Sequence, residues 1–247
     1  MISEKPQVPA GISTSNFNLL TSNFFDVALL VLRKDVAIEV KSLEIISTTL
    51  FFAVSSVLVF AFALVREGSV VADAAAGILW IAIAFAGTLA LGRTFERERY
   101  ADTLRALLLA PAPRAAIYVG KLLGMVLLLT GAELLLVPLV ALLFSAPFFA
   151  RPLFLAGLLV TGTTGFAAVG TLFAAMLVRS RTRDIMLPIL LYPITVPVII
   201  AGVRGTAALL ADKPDDAAAL MWMAVLSMFD VVFITLSLWT FEPLMTE

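Results

Sequence analysis

Long apolar runs separated by short polar stretches dominate this chain. A helix that crosses a bilayer needs about 20 mainly apolar residues, and six stretches approach or exceed that length. The pattern therefore predicts an all-α polytopic membrane protein with six transmembrane helices. They form one domain, residues 24–247, behind a flexible N-terminal tail, residues 1–23. The predicted spans are residues 45–65, 75–92, 117–145, 153–178, 185–203 and 220–241.

Ahead of the first predicted span, apolar residues recur every three or four positions. Leu29, Leu32, Val36, Val40 and Leu43 would share one face of a helix. The stretch carries too many charged residues to span a membrane. It predicts an N-terminal amphipathic helix lying in the cytoplasmic membrane interface, in contact with membrane lipid. An ordinary helix on the soluble side is the alternative.

Composition narrows the class further. Hydrophobic residues make up 61% of the chain and charged residues 14%, whereas a soluble domain is nearer half apolar and a quarter charged. The chain has no cysteine and no histidine, so thiolate metal sites and the commonest metal ligand are both missing. The net charge of −1 gives no reason to expect a nucleic-acid partner.

The distribution of Lys and Arg predicts the orientation. With six spans both termini lie on one side of the membrane, and that side carries most of the 17 Lys and Arg residues. The opposite side holds only Arg66, Arg151, Arg204 and Lys213. Because the side richer in basic residues faces the cytoplasm, we expect a multi-pass protein of the cell inner (plasma) membrane with cytoplasmic termini.

Two carboxylic acids fall near the centres of predicted spans, Glu133 in the third and Asp230 in the sixth. A charge at that depth costs about 2.5–3.5 kcal/mol on insertion scales. Neither residue has an obvious basic partner within a span. Each is therefore either a neutral carboxylic acid that hydrogen-bonds between helices or part of a hydrated pathway. We favour packing for Glu133 and a functional role for Asp230.

The fourth and fifth spans contain residues that bear on helix geometry. Pro188, Pro193 and Pro197 lie inside the fifth span, where they predict either a kinked packing helix or a moving gate. In the fourth span Gly157, Thr161 and Gly165 are spaced by four. Small residues at that spacing let two helices approach closely, so they are a candidate dimer face.

No phosphate-binding loop is present. Gly120-Lys121 resembles the end of one, but Ala115 stands where its first glycine is needed, and Leu122 supplies no hydroxyl for magnesium. The chain is therefore predicted not to be an enzyme, and ATP, if used, would be bound by a partner subunit.

The densest charge cluster lies between the second and third spans. Leu104, Leu107 and Leu108 would form an apolar ridge on a short helix that starts near Asp102 and stops at Ala110-Pro111. A second helix should begin near Arg114 and run into the third span. Such a unit can transmit a push from a soluble partner to two spans. A re-entry turn resting on the lipid surface is the alternative.

Short motifs spread along the chain carry a resemblance to a known family. In the charged stretch they are Phe-Glu-Arg-Glu at 95–98, Thr-Leu at 103–104, Leu-Leu-Leu-Ala-Pro at 107–111, Arg114, Ile-Tyr at 117–118 and Gly-Lys at 120–121. Elsewhere they are Leu-Trp at 79–80, FAGTLALGR at 85–93, GTLFAA at 170–175, LPILLYPITVPV at 187–198 and Phe-Asp at 229–230. With these motifs the chain resembles, over roughly residues 27–241, the cytochrome c maturation permease family, which forms the membrane part of haem-exporter-type ABC transporters.

The resemblance implies an ABC-2-type permease that works with a separate cytoplasmic ATPase subunit. Expected partners are that ATPase, a haem-handling membrane subunit, a small single-span subunit and a second copy of this chain. The complex would use ATP in delivering haem to, or releasing it on, an extracytoplasmic chaperone. Haem would be a substrate of the complex, with no cofactor assigned to this chain. The ATPase-coupling interface would comprise Glu96, Glu98, Asp102, Thr103, Leu104, Leu107, Leu108, Pro111, Arg114 and Lys121.

Two alternatives remain open at this point. One is a general ABC-2 exporter permease for a lipid, a polysaccharide or a drug. The other is a secondary transporter that works without nucleotide and is coupled to protonation of Glu133 and Asp230. The basic, proline-framed stretch at 93–121 favours an ABC permease, because a carboxylate-coupled carrier has no need of it.

Overall fold

The computed structural model describes residues 24–64, 72–100, 113–178, 180 and 182–244. Over these residues the chain is helical, with no strand. A short 3₁₀ turn, Phe148–Ala150, precedes the fourth spanning helix. The helices are α1 (Phe24–Ser42), α2 (Glu44–Leu64), α3 (Ala72–Tyr100), α4 (Arg114–Phe144), α5 (Pro152–Met176), α6 (Arg183–Leu210) and α7 (Asp216–Leu244). The predicted tail, residues 1–23, lies outside the described part of the chain.

Six of these helices, α2 to α7, are long and apolar enough to cross a membrane. Each overlaps one of the six stretches predicted from the sequence, which confirms the prediction of an all-α polytopic membrane protein. The main difference is in length. α3 continues to Tyr100 and α6 to Leu210, several residues past the predicted spans. The α3 extension is rich in charged residues, which can stay in a helix outside the hydrocarbon. α6 instead continues past Arg204 into residues such as Leu209 and Leu210 that are buried in the bundle.

The predicted amphipathic helix is α1, and a sharp bend separates it from α2. Leu43 at the bend has φ of +50°, a left-handed conformation that costs a non-glycine residue about 1–2 kcal/mol. Two hydrogen bonds offset this cost. The Leu43 amide donates to the Glu39 carbonyl at 2.7 Å, and the Ile46 amide donates to Glu39 Oε1 at 2.7 Å. Glu39 thus caps the first turn of α2.

Helices α3 and α5 form the centre of the bundle. In their most apolar segments 67% and 61% of the residues are buried, against 11% for α7. α3 packs against α2, α4, α5 and α6, and α5 packs against α3, α4, α6 and α7. The other spans therefore surround these two and leave one face of each directed outward.

Glycines on the inner helices make room for large side chains of α3. Trp80 is 1% exposed and lies between α5 and α6. A Cβ added at Gly162 would lie 2.2 Å from Trp80 Cη2, and one at Gly202 would lie 2.4 Å from Trp80 Cε2. The indole Nε1 donates to Thr206 Oγ1 at 2.9 Å. Trp80 therefore requires glycine on both neighbouring helices.

The small-residue stripe of the fourth span packs within the chain. A Cβ at Gly157 would lie 2.7 Å from Met223 Sδ, and one at Gly165 would lie 2.5 Å from Asp230 Oδ1. Both contacts are with α7, so this stripe is not the free dimer face that its spacing suggested. The close approach lets α7 pack along α5, as small residues do in membrane bundles.

Candidate functional site

The predicted coupling stretch lies between two helices that leave the apolar part of the bundle. α3 carries the backbone of Glu96 and Glu98 to its end at Tyr100, and α4 begins at Arg114, directly after Pro113. The start of α4 agrees with the prediction. The remaining predicted coupling residues, Asp102, Thr103, Leu104, Leu107, Leu108 and Pro111, lie outside the described residues.

Two arginines that were not among the predicted coupling residues hold the base of the α3 extension. The buried Arg183 guanidinium donates to the Leu91 carbonyl at 3.1 Å and to the Gly92 carbonyl. Arg93 forms an exposed ion pair with Glu44 at 3.6 Å. α6 and α2 are thereby joined to α3 where it leaves the apolar bundle.

Lys121, the last of the predicted coupling residues, has its side chain inside the protein. Only 3% of that side chain is exposed, and Nζ lies 2.7 Å from Asp35 Oδ2 on α1. Asp35 Oδ1 also lies 3.2 Å from Lys34 Nζ. Arg114, at the start of the same helix, is half-buried. The structure thus directs Lys121 towards α1, and Asp35 is a partner that sequence reasoning missed.

Glycine explains why α1 comes so close to α4. A Cβ at Gly120 would lie 2.6 Å from the Ala28 carbonyl oxygen and 2.8 Å from Val31 Cβ. Ala28 and Val31 are the buried residues of α1. Of the predicted apolar stripe of α1, Leu29, Val40 and Leu43 are exposed, whereas Leu32 and Val36 are half-buried. A Cβ at Gly124 would lie 3.8 Å from Leu32 Cδ1. α1 therefore packs on α4 with Ala28, Val31 and Leu32 and leaves the rest of the stripe outward.

The two intramembrane carboxylic acids have different surroundings. Glu133 on α4 is 4% exposed, and its Oε1 accepts a hydrogen bond from the Thr163 hydroxyl on α5. This is an interhelical hydrogen bond of the kind expected for a packing role. Sequence reasoning missed Thr163, because nothing in the order of residues along α5 shows which helix it faces.

Asp230 on α7 is 9% exposed and lies against Gly165 of α5, as the packing of α7 along α5 requires. Its Oδ1 atom has no hydrogen-bond partner among the residues that the structure describes. The neighbouring Phe229 stacks on Phe233 at 4.3 Å between ring centroids. A buried polar atom without a partner is costly in a bilayer and is a common mark of a functional position.

The structure keeps Glu133 and Asp230 apart. They approach α5 at Thr163 and Gly165, two residues apart in sequence. Successive residues of an α-helix are about 100° apart around its axis, so the two contacts lie on nearly opposite sides of α5. The carboxylic acids do not form one paired site.

The three prolines of the fifth span lie within the continuous helix α6. Pro193 and Pro197 are exposed and Pro188 is partly exposed, whereas Leu187, Leu191, Thr195 and Val198 on the other face are buried. The rings are therefore directed away from the core of the bundle. Both interpretations of these residues, a packing kink or a gate, stay predictions.

The fold and these contacts define a polytopic helical membrane protein with an amphipathic helix packed against its third span. The family model described as CcmB protein matches residues 26–243, and the chain belongs to that family. It is 29% identical over 206 residues to Heme exporter protein B of Pseudomonas aeruginosa, which covers 83% of this chain and 90% of that protein. It is 34% identical over 153 residues to Heme exporter protein B of Rhodobacter capsulatus, which covers 60% of this chain and 69% of that protein.

Proposed function

We propose that this chain is the membrane permease subunit of an ABC transporter complex needed for cytochrome c biogenesis. The observation that carries the proposal is the family match across residues 26–243, which includes all six spanning helices. The name of both relatives, Heme exporter protein B, supports haem as the substrate of the complex. The complex would deliver haem to, or release it on, an extracytoplasmic haem chaperone.

A separate cytoplasmic ATPase subunit would supply ATP hydrolysis. The ATPase-coupling interface would be the segment from Glu96 to Arg114, which joins α3 to α4. The arrangement of these two helices supports this proposal, because a push on the segment would reach the second and third spans together. The surface would be cytoplasmic, in an inner-membrane protein with both termini on that side. Other proposed partners are a haem-handling membrane subunit, a small single-span subunit and a second copy of the chain.

Co-purification of the ATPase tests the proposal directly. The chain is solubilised in mild detergent from cells that contain its partners, and the bound proteins are searched for a Walker-motif ATPase. We expect Leu107→Glu/Leu108→Glu to insert normally and lose the ATPase, because two large apolar side chains at an interface contribute about 3–6 kcal/mol when fully buried.

The matched control places the same two charges on the exposed turn between α6 and α7, as Ala211→Glu/Pro214→Glu. Both positions are exposed, and the predicted topology puts them on the opposite side of the membrane. The control should keep the ATPase. Stoichiometric co-purification of the ATPase with the Leu107/Leu108 variant would contradict the coupling interface, and absence of any ATPase from the unmodified protein would contradict the proposed function.

A further inference from the structure

Helix α1 and the first turns of α4 are joined by an unusually close contact for a helix at the edge of a membrane bundle. The Lys121 side chain is almost fully enclosed and pairs with Asp35 at 2.7 Å. One residue earlier, Gly120 lets the α1 backbone approach α4 closely. Separating the pair would take the carboxylate away from the enclosed Lys121 ammonium, which is strongly unfavourable in a low-dielectric site. Asp35 is more exposed, at 18%, and also lies 3.2 Å from Lys34 Nζ. We call the Lys121–Asp35 pair and the adjoining Gly120 contact the joint. It resists sliding of α1 along α4.

The joint lies immediately after the segment that we propose contacts the ATPase. α4 begins at Arg114, so Lys121 is seven residues along the helix, or about 10 Å from its start at about 1.5 Å per residue. A helix of this length behaves as a rigid rod. Any tilt of the first turn of α4 is carried to Asp35 and hence to α1.

The other end of α1 meets α2 at a bend, where Glu39 caps the first turn of α2. Leu43, with its left-handed backbone, separates α1 from α2, and α1 packs far less extensively on α2 than on α4. The exposed stripe of Leu29, Val40 and Leu43 matches the apolar face of a helix resting in the interface. α1 is thus packed along the third span, and it meets the first span only at the capped bend.

We propose that the Lys121–Asp35 pair makes α1 a transmission element, a helix that moves as one body with the cytoplasmic end of α4 when the coupling segment is displaced. Lys121 and Asp35 are positioning residues that act through α1. The proposal rests on the proposed function in one respect only, that an ATPase subunit is what displaces the coupling segment. The rigid connection between α1 and α4 can be measured without any partner.

The first test asks whether the joint exists as described. A Cβ at Gly124 would lie 4.0 Å from Asp35 Cβ, within the range of about 3.5–4.5 Å that disulfides require. The variant Asp35→Cys/Lys121→Met/Gly124→Cys has no other cysteine, since the chain contains none. We expect mild oxidation of the purified protein to remove both thiols from labelling, and reduction to restore them. Persistent labelling after oxidation would overturn the proposed joint.

The second test asks whether the joint transmits movement. Spin labels at Leu30→Cys and Leu123→Cys, both exposed positions, report the distance between α1 and α4 in the assembled complex. We expect an unchanged distance with and without a non-hydrolysable ATP analogue. Adding Asp35→Asn, a mild change that retains a polar partner for Lys121, should broaden the distance distribution or make it depend on nucleotide. The same narrow distribution in both proteins would overturn the proposal.

The third test is functional and has a matched control. Asp35→Ala/Lys121→Met removes both charges of the buried contact, and Lys34, the other ion-pair partner of Asp35, is one-third exposed and can stay solvated. We expect this protein to bind the ATPase subunit at the normal level and to lose most of its cytochrome c maturation. Arg151→Ala/Asp216→Ala removes an exposed ion pair of 3.3 Å between the starts of α5 and α7, away from α1 and α4, and should retain maturation. Normal maturation in the Asp35/Lys121 variant would overturn transmission through α1, whereas absence of ATPase binding in the unmodified protein would count against the proposed function alone.

Discussion

Replacing Glu133 tests whether its carboxyl group serves helix packing or a hydrated path. The Thr163 hydroxyl donates to Glu133 Oε1 across the α4–α5 interface, and both residues are buried. Glu133→Gln keeps a carbonyl oxygen at the same reach, so we expect little change in stability or in cytochrome c maturation. Glu133→Leu removes the acceptor and should destabilise the protein by about 0.6–2 kcal/mol, the range of interhelical hydrogen bonds in membranes.

The upper end of that range is not expected, because Thr163 has an alternative acceptor. A threonine hydroxyl in a helix can donate to the carbonyl four residues earlier, as Thr161 does to the Gly157 carbonyl at 2.8 Å. In Glu133→Leu the Thr163 hydroxyl can turn to its own helix. The loss of stability in Glu133→Leu should therefore be about 0.6 kcal/mol, the mean measured for interhelical hydrogen bonds in a membrane protein.

A double-mutant cycle isolates the interaction. The proteins are Glu133→Leu, Thr163→Val and the combination, with unfolding free energies measured by steric trapping in bicelles. We expect a coupling energy of about 0.6 kcal/mol, and retained maturation in Glu133→Gln serves as the functional control. A Glu133→Gln protein that folds with normal stability but no longer matures cytochrome c would refute the packing role.

Other contacts of the bundle lead to three more predictions. The Asp230→Asn protein should assemble and bind the ATPase but mature less cytochrome c, because the amide that replaces the Asp230 carboxyl group cannot ionise. A normal maturation rate in this variant would remove the functional role. Gly162→Ala should destabilise the bundle by about 1–3 kcal/mol through overpacking against Trp80, whereas Gly77→Ala, with nothing within 4 Å of the new Cβ, should be neutral or slightly stabilising in a thermal-unfolding assay. Cysteines at Thr182 and Lys213, both exposed, should react from the cytoplasmic and outer sides respectively; labelling of position 182 from outside would contradict the predicted topology.

Among the site residues, sequence reasoning succeeded where the signal is local. The start of α4 at Arg114 followed from Pro113, because proline restricts the preceding backbone and is readily accepted just before a helix. The carboxylic acids in the third and sixth spans were found because any ionisable residue in an apolar run is conspicuous. Their partners, Thr163 for Glu133 and the close contact of Gly165 with Asp230, could not be found in this way.

Lys121 shows the limit most clearly. Its place in a basic stretch that is predicted to be cytoplasmic suggested an exposed surface residue, yet only 3% of its side chain is exposed and it pairs with Asp35 of α1. Sequence periodicity on α1 indicated an apolar stripe that includes Leu29 and Val40, whereas the face that packs on α4 is centred on Ala28 and Val31 and takes only Leu32 from the edge of that stripe. The small residues of that face carry little hydrophobic signal, although they permit the closest approach.

The sequence by itself determined the class, the number of spans and the amphipathic character of α1, because transfer of each residue between water and hydrocarbon contributes separately and adds along a window of about 20 residues. Only the tertiary structure decided which faces meet: Trp80 between Gly162 and Gly202, the Gly157 stripe against α7, and Asp35 against Lys121. Lipid is as apolar as leucine, so packing between membrane helices depends on the shapes and polar groups of two surfaces at once. This complementarity between two surfaces cannot be read from the composition of either helix alone.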